Sequence, residues 1–247
     1  MSQPRGMSQL TLVRHGQAAA FSEDSDRLTE LGQRQAARLG EYWVEQGVTF
    51  DTVICGALRR HRQTEQGVAE AFRRAGKPWP DVELDPGWNE YDAGAIMAGL
   101  RPVLQERDPR FRKLAADAEA AAGGPERNRY FQRSLEALMD VWVAGELTPE
   151  HPGFESFADF HSRVMAARQR IFDGPGGRSV AVFTSGGPIG VNVQAAMGAT
   201  MDHALRVNWR VRNVSLSEFV FSASRLSFDS FNRLPHLSGH PELVTFR

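Results

Sequence analysis

The sequence predicts an α/β fold: a three-layer α/β/α sandwich on a mostly parallel central sheet, with one antiparallel edge strand and a helical insertion. Two observations carry this reading. Short apolar runs alternate along the chain with stretches whose apolar residues recur every three or four positions, the order of βαβ units. Late in the chain, Leu216–Phe221 and Leu226–Phe231 flank Ser222-Ala223-Ser224, the pattern of a hairpin at a sheet edge.

The elements follow in order. Leu10–Val13 is a buried strand, and 17–27 is a polar, alanine-rich loop. Thr29 caps a helix whose Ala36, Leu39 and Trp43 share a face and which Gly47 ends. Thr52–Cys55 is a second strand, followed by a helix from Arg59 to about Ala75, stopped by Gly76-Lys77-Pro78. Val82–Leu84 makes a short strand before the Pro86-Gly87 turn. Residues 95–150 are rich in Ala, Arg and Glu and predict two helices, 101–122 and 126–144, split by Gly123-Gly124-Pro125. Glu155–Phe172 is amphipathic, with Phe157, Phe160, Val164 and Ile171 as its stripe. Gly174-Pro175-Gly176-Gly177 breaks it, Ser179–Phe183 is a buried strand, and Gly187–Met197 is the helix after it. The expected organisation is one domain over 8–247 with the insertion at about 95–150, and 1–7 disordered.

Bulk properties exclude several classes. A 41% hydrophobic and 24% charged composition suits a water-soluble globular protein. A net charge of −1 gives no overall basic field for nucleic acid or a membrane surface. Cys55 is the only cysteine, so no intrachain disulfide can form. Met1–Gly6 lacks the apolar stretch of a signal peptide, so the expected location is the cytoplasm. The oligomeric state is not readable from the chain.

In parallel α/β folds, ligands sit beyond the carboxyl ends of strands. Three segments put suggestive residues there: Arg14-His15-Gly16-Gln17, the run Cys55 to Thr64, and Thr184-Ser185-Gly186-Gly187. Arginine offers a planar fork to phosphate oxygens, histidine a nucleophilic nitrogen, and helix N-termini backbone N–H groups.

These segments resemble the histidine phosphatase superfamily, also called phosphoglycerate-mutase-like. Leu12–Gln17 is similar to its signature, Leu28–Ala36 to its first helix, and Leu58-Arg59-Arg60 with Gln63-Thr64 to its second arginine motif. Glu90 with Gly94 is similar to its proton-donor segment, and Glu155-Ser156 to a helix start. The resemblance implies His15 as nucleophile, Arg14 and Arg60 on the phosphoryl oxygens, and Glu90 as proton donor and then base. It implies no metal and no cofactor, and the sequence offers no compact metal-ligand spacing. Gln17, Ser185 and Gly186 complete the expected binding set for a small phosphorylated substrate. Asp92, Asp85 and Glu83 compete with Glu90 for the acid role, and Trp88 is either core or an apolar wall beside it. His61, His161, His203, His236 and His240 read as surface or packing residues, and His61, next to Arg60, stands where the family has a small residue.

One position departs from the family. Ser185 stands where a second histidine belongs, offering one hydrogen bond but no charge. The expectation is that Ser185→His restores a charged donor. Three functions stay open: a phosphomonoesterase acting through a phosphohistidine, a catalytically impaired phospho-ligand binding protein, and a phosphoglycerate-type mutase. The insertion, with Arg101, Arg107, Arg110, Arg112, Arg127, Arg129 and Arg133, is expected to influence substrate choice.

Overall fold

The computed structural model describes residues 7–19, 26–121, 124 and 126–246; the expected disorder at 1–6, most of the 17–27 loop, and Gly123 and Pro125 of the expected helix break lie outside the described residues. Six strands form one sheet in the order β3-β2-β4-β1-β5-β6. They are β1 (Ser8–Arg14), β2 (Thr52–Cys55), β3 (Val82–Leu84), β4 (Ser179–Thr184), β5 (Leu216–Ser222) and β6 (Arg225–Arg233). β1, β2, β3 and β4 pair in parallel. β5 alone runs against its neighbours, pairing antiparallel with β1 and turning back into the outermost β6.

The chain divides into two compact units: 1–90 with 163–247, and 91–162. The first holds the sheet. On one face, Val13, Val53, Cys55, Ala181 and Phe183 form a core with Leu39 and Trp43 of α1 (Glu30–Glu45) and Val68 and Phe72 of α2 (Arg59–Arg74). The other face carries Leu10, Leu12, Ile54, Val180 and Val182, all buried. There α7 (Gly186–Met197) packs on β1 and β6, and Phe172 stacks on Phe221 with ring centroids 4.8 Å apart. Both faces are therefore apolar, which is why the parallel strands read as continuous hydrophobic runs rather than alternating ones. Thr29 caps α1 as its position predicts, its hydroxyl accepting from Gly32 N at 3.0 Å. α8 (Asp202–Asn208) is a seven-residue helix that the sequence reading does not anticipate.

The second unit is helical: α3 (Ala93–Arg107), α4 (Pro109–Ala120), α5 (Arg127–Ala144) and the start of α6 (Phe157–Phe172). The single helix expected over 101–122 is two helices. Asp108 ends α3 and caps α4 by accepting from Arg110 N at 2.8 Å, and Pro109, lacking an N–H, suits the first helical position. Tyr91, Trp142, Phe157 and Phe160 build an aromatic core with neighbouring centroids 4.9–5.8 Å apart. Trp142 Nε1 donates to Glu155 O at 2.8 Å. α3, α4 and α5 line a cavity of about 420 Å³ with Met97, Phe111, Leu135 and Leu138 at its wall and Arg101 and Glu119 at its polar part. Arg110 and Arg129 form exposed ion pairs with Asp108 and Glu126, as expected of solvated helix faces, and the side chain of Arg127 is outside the described residues. Among the described residues, no helix is long and apolar enough to cross a membrane.

Candidate active site

β1 ends at Arg14 and delivers His15 into a turn that lies against the start of α1. A Cβ on Gly16 would sit 2.6 Å from Gly32 O, and one on Gly32 would sit 2.2 Å from Gln17 O. Two glycines therefore let the turn and the helix touch backbone to backbone. The turn is hydrogen-bonded on every side. His15 N donates to Thr184 O at 2.9 Å, which ties it to the end of β4. Gly16 N donates to Thr64 Oγ1 at 3.0 Å, and Gln17 N to Gln35 Oε1 at 2.8 Å. Asn213 Nδ2 donates to His15 O at 3.0 Å, and Thr245 Oγ1 donates to Asn213 Oδ1 at 2.9 Å. Val214 N reaches the carbonyls of Arg14 and His15, with Val214 held at φ 52°, a left-handed conformation costly for a β-branched residue.

His15 is 7% exposed. Its Nδ1 lies 2.7 Å from Gly16 O, a carbonyl that can only accept, so Nδ1 carries the proton and Nε2 keeps its lone pair. Burial, then the positive charges of Arg60 and Arg14, then His61, hold the imidazole well below its usual pKa. His15 is thus a neutral base with a free-electron-pair nitrogen beside two guanidinium groups.

The structure gathers most of the expected residues in this unit. Arg14 Nη1 donates to the carbonyls of Val211 and Phe246, the latter at 2.8 Å. Arg60 Nη1 pairs with Asp26 Oδ1 at 2.8 Å, and Asp26 also accepts Arg59 N at 2.7 Å, capping α2. Glu90 Oε2 accepts Gly187 N at 3.1 Å, which sets this carboxylate at the N-terminus of α7 beside Ser185 and Gly186. Gly186 is required there, since a Cβ would sit 2.1 Å from Asn208 Oδ1 of α8. Gln17 turns its side chain to α1, accepting Thr29 Oγ1 at 2.9 Å.

Two of the three competitors of Glu90 are otherwise engaged. Asp85 caps the following turn through Gly87 N at 2.8 Å and pairs with Arg170 at 2.6 Å. Asp92 caps α3 through Ala95 N at 3.0 Å. Trp88 is fully buried, and its carbonyl accepts Thr184 Oγ1 at 2.6 Å, so it is a core residue. His61 does not lie on the surface: its Nε2 is 2.6 Å from Ser185 Oγ, both residues are fully buried, and its ring centroid is 5.7 Å from that of His15. That contact removes the room that Ser185→His needs.

Sequence reasoning missed Asp26, Asn213, Val211 and Thr245. Each is a single polar or backbone group reaching the site from far along the chain, with no local pattern to mark it. Among the described residues, no three His, Cys, Asp or Glu side chains cluster in a way that could hold a metal ion.

The chain is similar to known proteins in sequence and in fold. The chain is 28% identical over 218 residues to a protein of Mycobacterium tuberculosis described as bifunctional, covering 86% of this chain and 50% of that one. It thus spans about half the length of the curated relatives it matches first. Its fold is that of a phosphoglycerate mutase from Bacillus anthracis, with TM-score 0.62, 18% identity and coverage of 95% of this chain and 96% of the other. It is also that of a putative alpha-ribazole-5'-P phosphatase from Escherichia coli, with TM-score 0.60, 21% identity and coverage of 92% and 96%. The family model of the histidine phosphatase superfamily (branch 1) matches residues 10–146 and 119–234, and on that match the chain belongs to this superfamily.

Proposed function

We propose that this chain is a phosphomonoesterase that works through a phosphohistidine on His15 and acts on a small phosphorylated metabolite in the cytoplasm. The observation that carries the proposal is the state of His15. It is buried, uncharged, protonated on Nδ1 by its bond to Gly16 O, and flanked by Arg14 and Arg60. In this reading Nε2 attacks phosphorus in line as the P–O bond to the alcohol breaks. Arg14, Arg60 and the N-terminus of α7 stabilise the charge spread over the equatorial oxygens. Glu90, held on Gly187 N, passes a proton to the leaving alkoxide and then takes one from the water that attacks phosphohistidine. Arg60 must exchange Asp26 for a phosphoryl oxygen as substrate enters. In this reading Ser185 and Gly186, at the start of α7, complete the binding set with Gln17. The chemistry proposed here uses no metal and no cofactor, and the near-zero net charge supports a small molecule over nucleic acid or membrane as partner.

The second reading is a phospho-ligand binding protein without turnover, favoured by the uncharged Ser185 hydroxyl at the end of β4. A phosphoglycerate-type mutase is a third. One experiment separates them. The protein is incubated with p-nitrophenyl phosphate and with a panel of phosphorylated metabolites, with base-stable, acid-labile phosphate on His15 and released phosphate both followed. The phosphatase reading expects label on His15, multiple turnovers, loss of both in a folded His15→Ala variant, and no effect of chelators. Label without turnover fits the binding protein, and transfer to a second metabolite without release fits the mutase. Turnover that survives in His15→Ala overturns all three roles for His15.

A further inference from the structure

Beside His15 lies a second buried histidine that the mechanism above does not use. His61 enters from the first turn of α2, and Ser185 stands at the junction of β4 and α7. Their side chains meet at 2.6 Å in a fully buried position, and the His61 ring lies 5.7 Å from the His15 ring. We propose that His61 is a positioning residue: its Nε2–H donates to Ser185 Oγ and so turns the serine's own proton onto the phosphoryl group attached at His15. The proposal rests on the phosphoryl-transfer reading of the site.

Three observations fix the direction of the hydrogen bond and its purpose. His61 Nδ1 is buried without a partner. A proton there would be an orphaned donor, which folded proteins tolerate less readily than an acceptor with an unused lone pair, so the proton belongs on Nε2. Gly56 leaves the room for this ring: a Cβ at that position would lie 2.3 Å from Nδ1. Ser185 sits at the N-cap of α7, where a serine hydroxyl ordinarily accepts from the helix, yet it makes no such bond. Its lone pair is used by His61 instead, which leaves the O–H available as a donor. Burial, and then Arg60, hold the His61 pKa well below its ordinary value, so the imidazole acts by hydrogen bonding and adds no charge. The pair thus divides between α2 and β4 the donor work that a single histidine at the end of β4 would perform.

The test uses orthovanadate, whose five-coordinate adduct imitates the transferring phosphoryl group, with p-nitrophenyl phosphate turnover read in parallel. Ser185→Ala is expected to weaken vanadate binding about tenfold and to lower kcat by a similar factor with KM little changed. His61→Phe, which keeps the ring volume but has no donor, is expected to do the same. The double variant is expected to be no worse than Ser185→Ala alone, because both changes remove one donor. His61→Gln, whose amide nitrogen can reach Ser185 Oγ, is expected to stay within about threefold of the native protein. Losses that multiply in the double variant, or a folded His61→Phe with native vanadate affinity, overturn the proposal. A measurement on the unaltered protein covers the case in which His61→Phe does not fold. Long-range proton–nitrogen NMR is expected to find His61 neutral with its proton on Nε2, and the Nδ1–H tautomer overturns the assignment. Absence of phosphate on His15 in the unaltered protein sinks the phosphatase reading, whereas the vanadate cycle and the tautomer judge the His61–Ser185 pair separately.

Discussion

At the scale of single residues, His61 and Asp26 change what substitutions at the site should do. Ser185→His forces a ring into a space whose far wall is His61 Nε2, 2.6 Å from the serine oxygen. Overpacking of this kind costs about 1–3 kcal/mol. A lower Tm and no gain in turnover are therefore expected from Ser185→His, and the pair His61→Ala with Ser185→His should recover the native Tm better than either change alone. A thermal melt and a p-nitrophenyl phosphate assay check both statements. Asp26 holds Arg60 at 2.8 Å and also caps α2, and a substrate phosphoryl group must displace it. Asp26→Asn keeps an oxygen for the cap and removes the competing charge. Partly exposed ion pairs are worth about 0.2–1 kcal/mol, so KM for a phosphate ester should fall by a factor of about 1.4 to 5. An unchanged or higher KM would mean that Arg60 does not have to leave Asp26.

At the scale of elements, the glycines at the start of α7 matter as much as the charged residues. Gly186→Ala places a Cβ 2.1 Å from Asn208 Oδ1, so α7 must shift away from α8 or Asn208 must move. A loss of about 1–3 kcal/mol in stability is expected, together with a weaker hold of Gly187 N on Glu90 and a lower kcat. Urea denaturation and steady-state kinetics check the two effects. The elements that position the site were the most legible ones. β1, β2 and β4 are buried on both faces and leave uninterrupted apolar runs, and α1 and α2 have one apolar stripe each. What stayed hidden has physical causes. The α3–α4 break is set by one cap and one proline inside a continuous Ala- and Arg-rich stretch. α8 is two turns long, too short to build a periodicity. Arg14 and His15 stand out because they close β1 beside Gly16, whereas Arg60 and Glu90 are marked only by their likeness to family motifs. Asn213 and Thr245 could not, since their contribution exists only once the sheet has closed.

At the scale of the whole molecule, three histidines are buried in uncharged form: His15, His61 and His236, the last pushed down to about 3 by burial and by Arg38. Their native pKa values lie below the unfolded value, so the unfolded chain binds more protons in acid. Stability is then full above about pH 6.5 and falls as the pH drops below it. For His236 this costs about 2 kcal/mol between pH 7 and pH 5. Glu65, whose pKa is raised chiefly by burial, works in the opposite sense and offsets a part. His236 has no hydrogen-bond partner on either ring nitrogen, and so His236→Phe should shrink the acid loss by one histidine's share. Urea midpoints at the two pH values test this, and an acid loss unchanged in the variant would contradict it. The bonds from Arg14 to Phe246 and from Asn213 to Thr245 have a different consequence, one of timing. They join residues up to 232 positions apart. A ribosome adding about 5–20 residues per second needs roughly 10–50 s to travel from His15 to Thr245. During that interval the nascent chain carries its histidine but lacks the carbonyls and the amide that hold the turn in shape. Stalled chains ending before residue 211 should therefore take up no phosphate from a reactive ester, and the nucleophile stays chemically silent until translation has passed the segment that completes it.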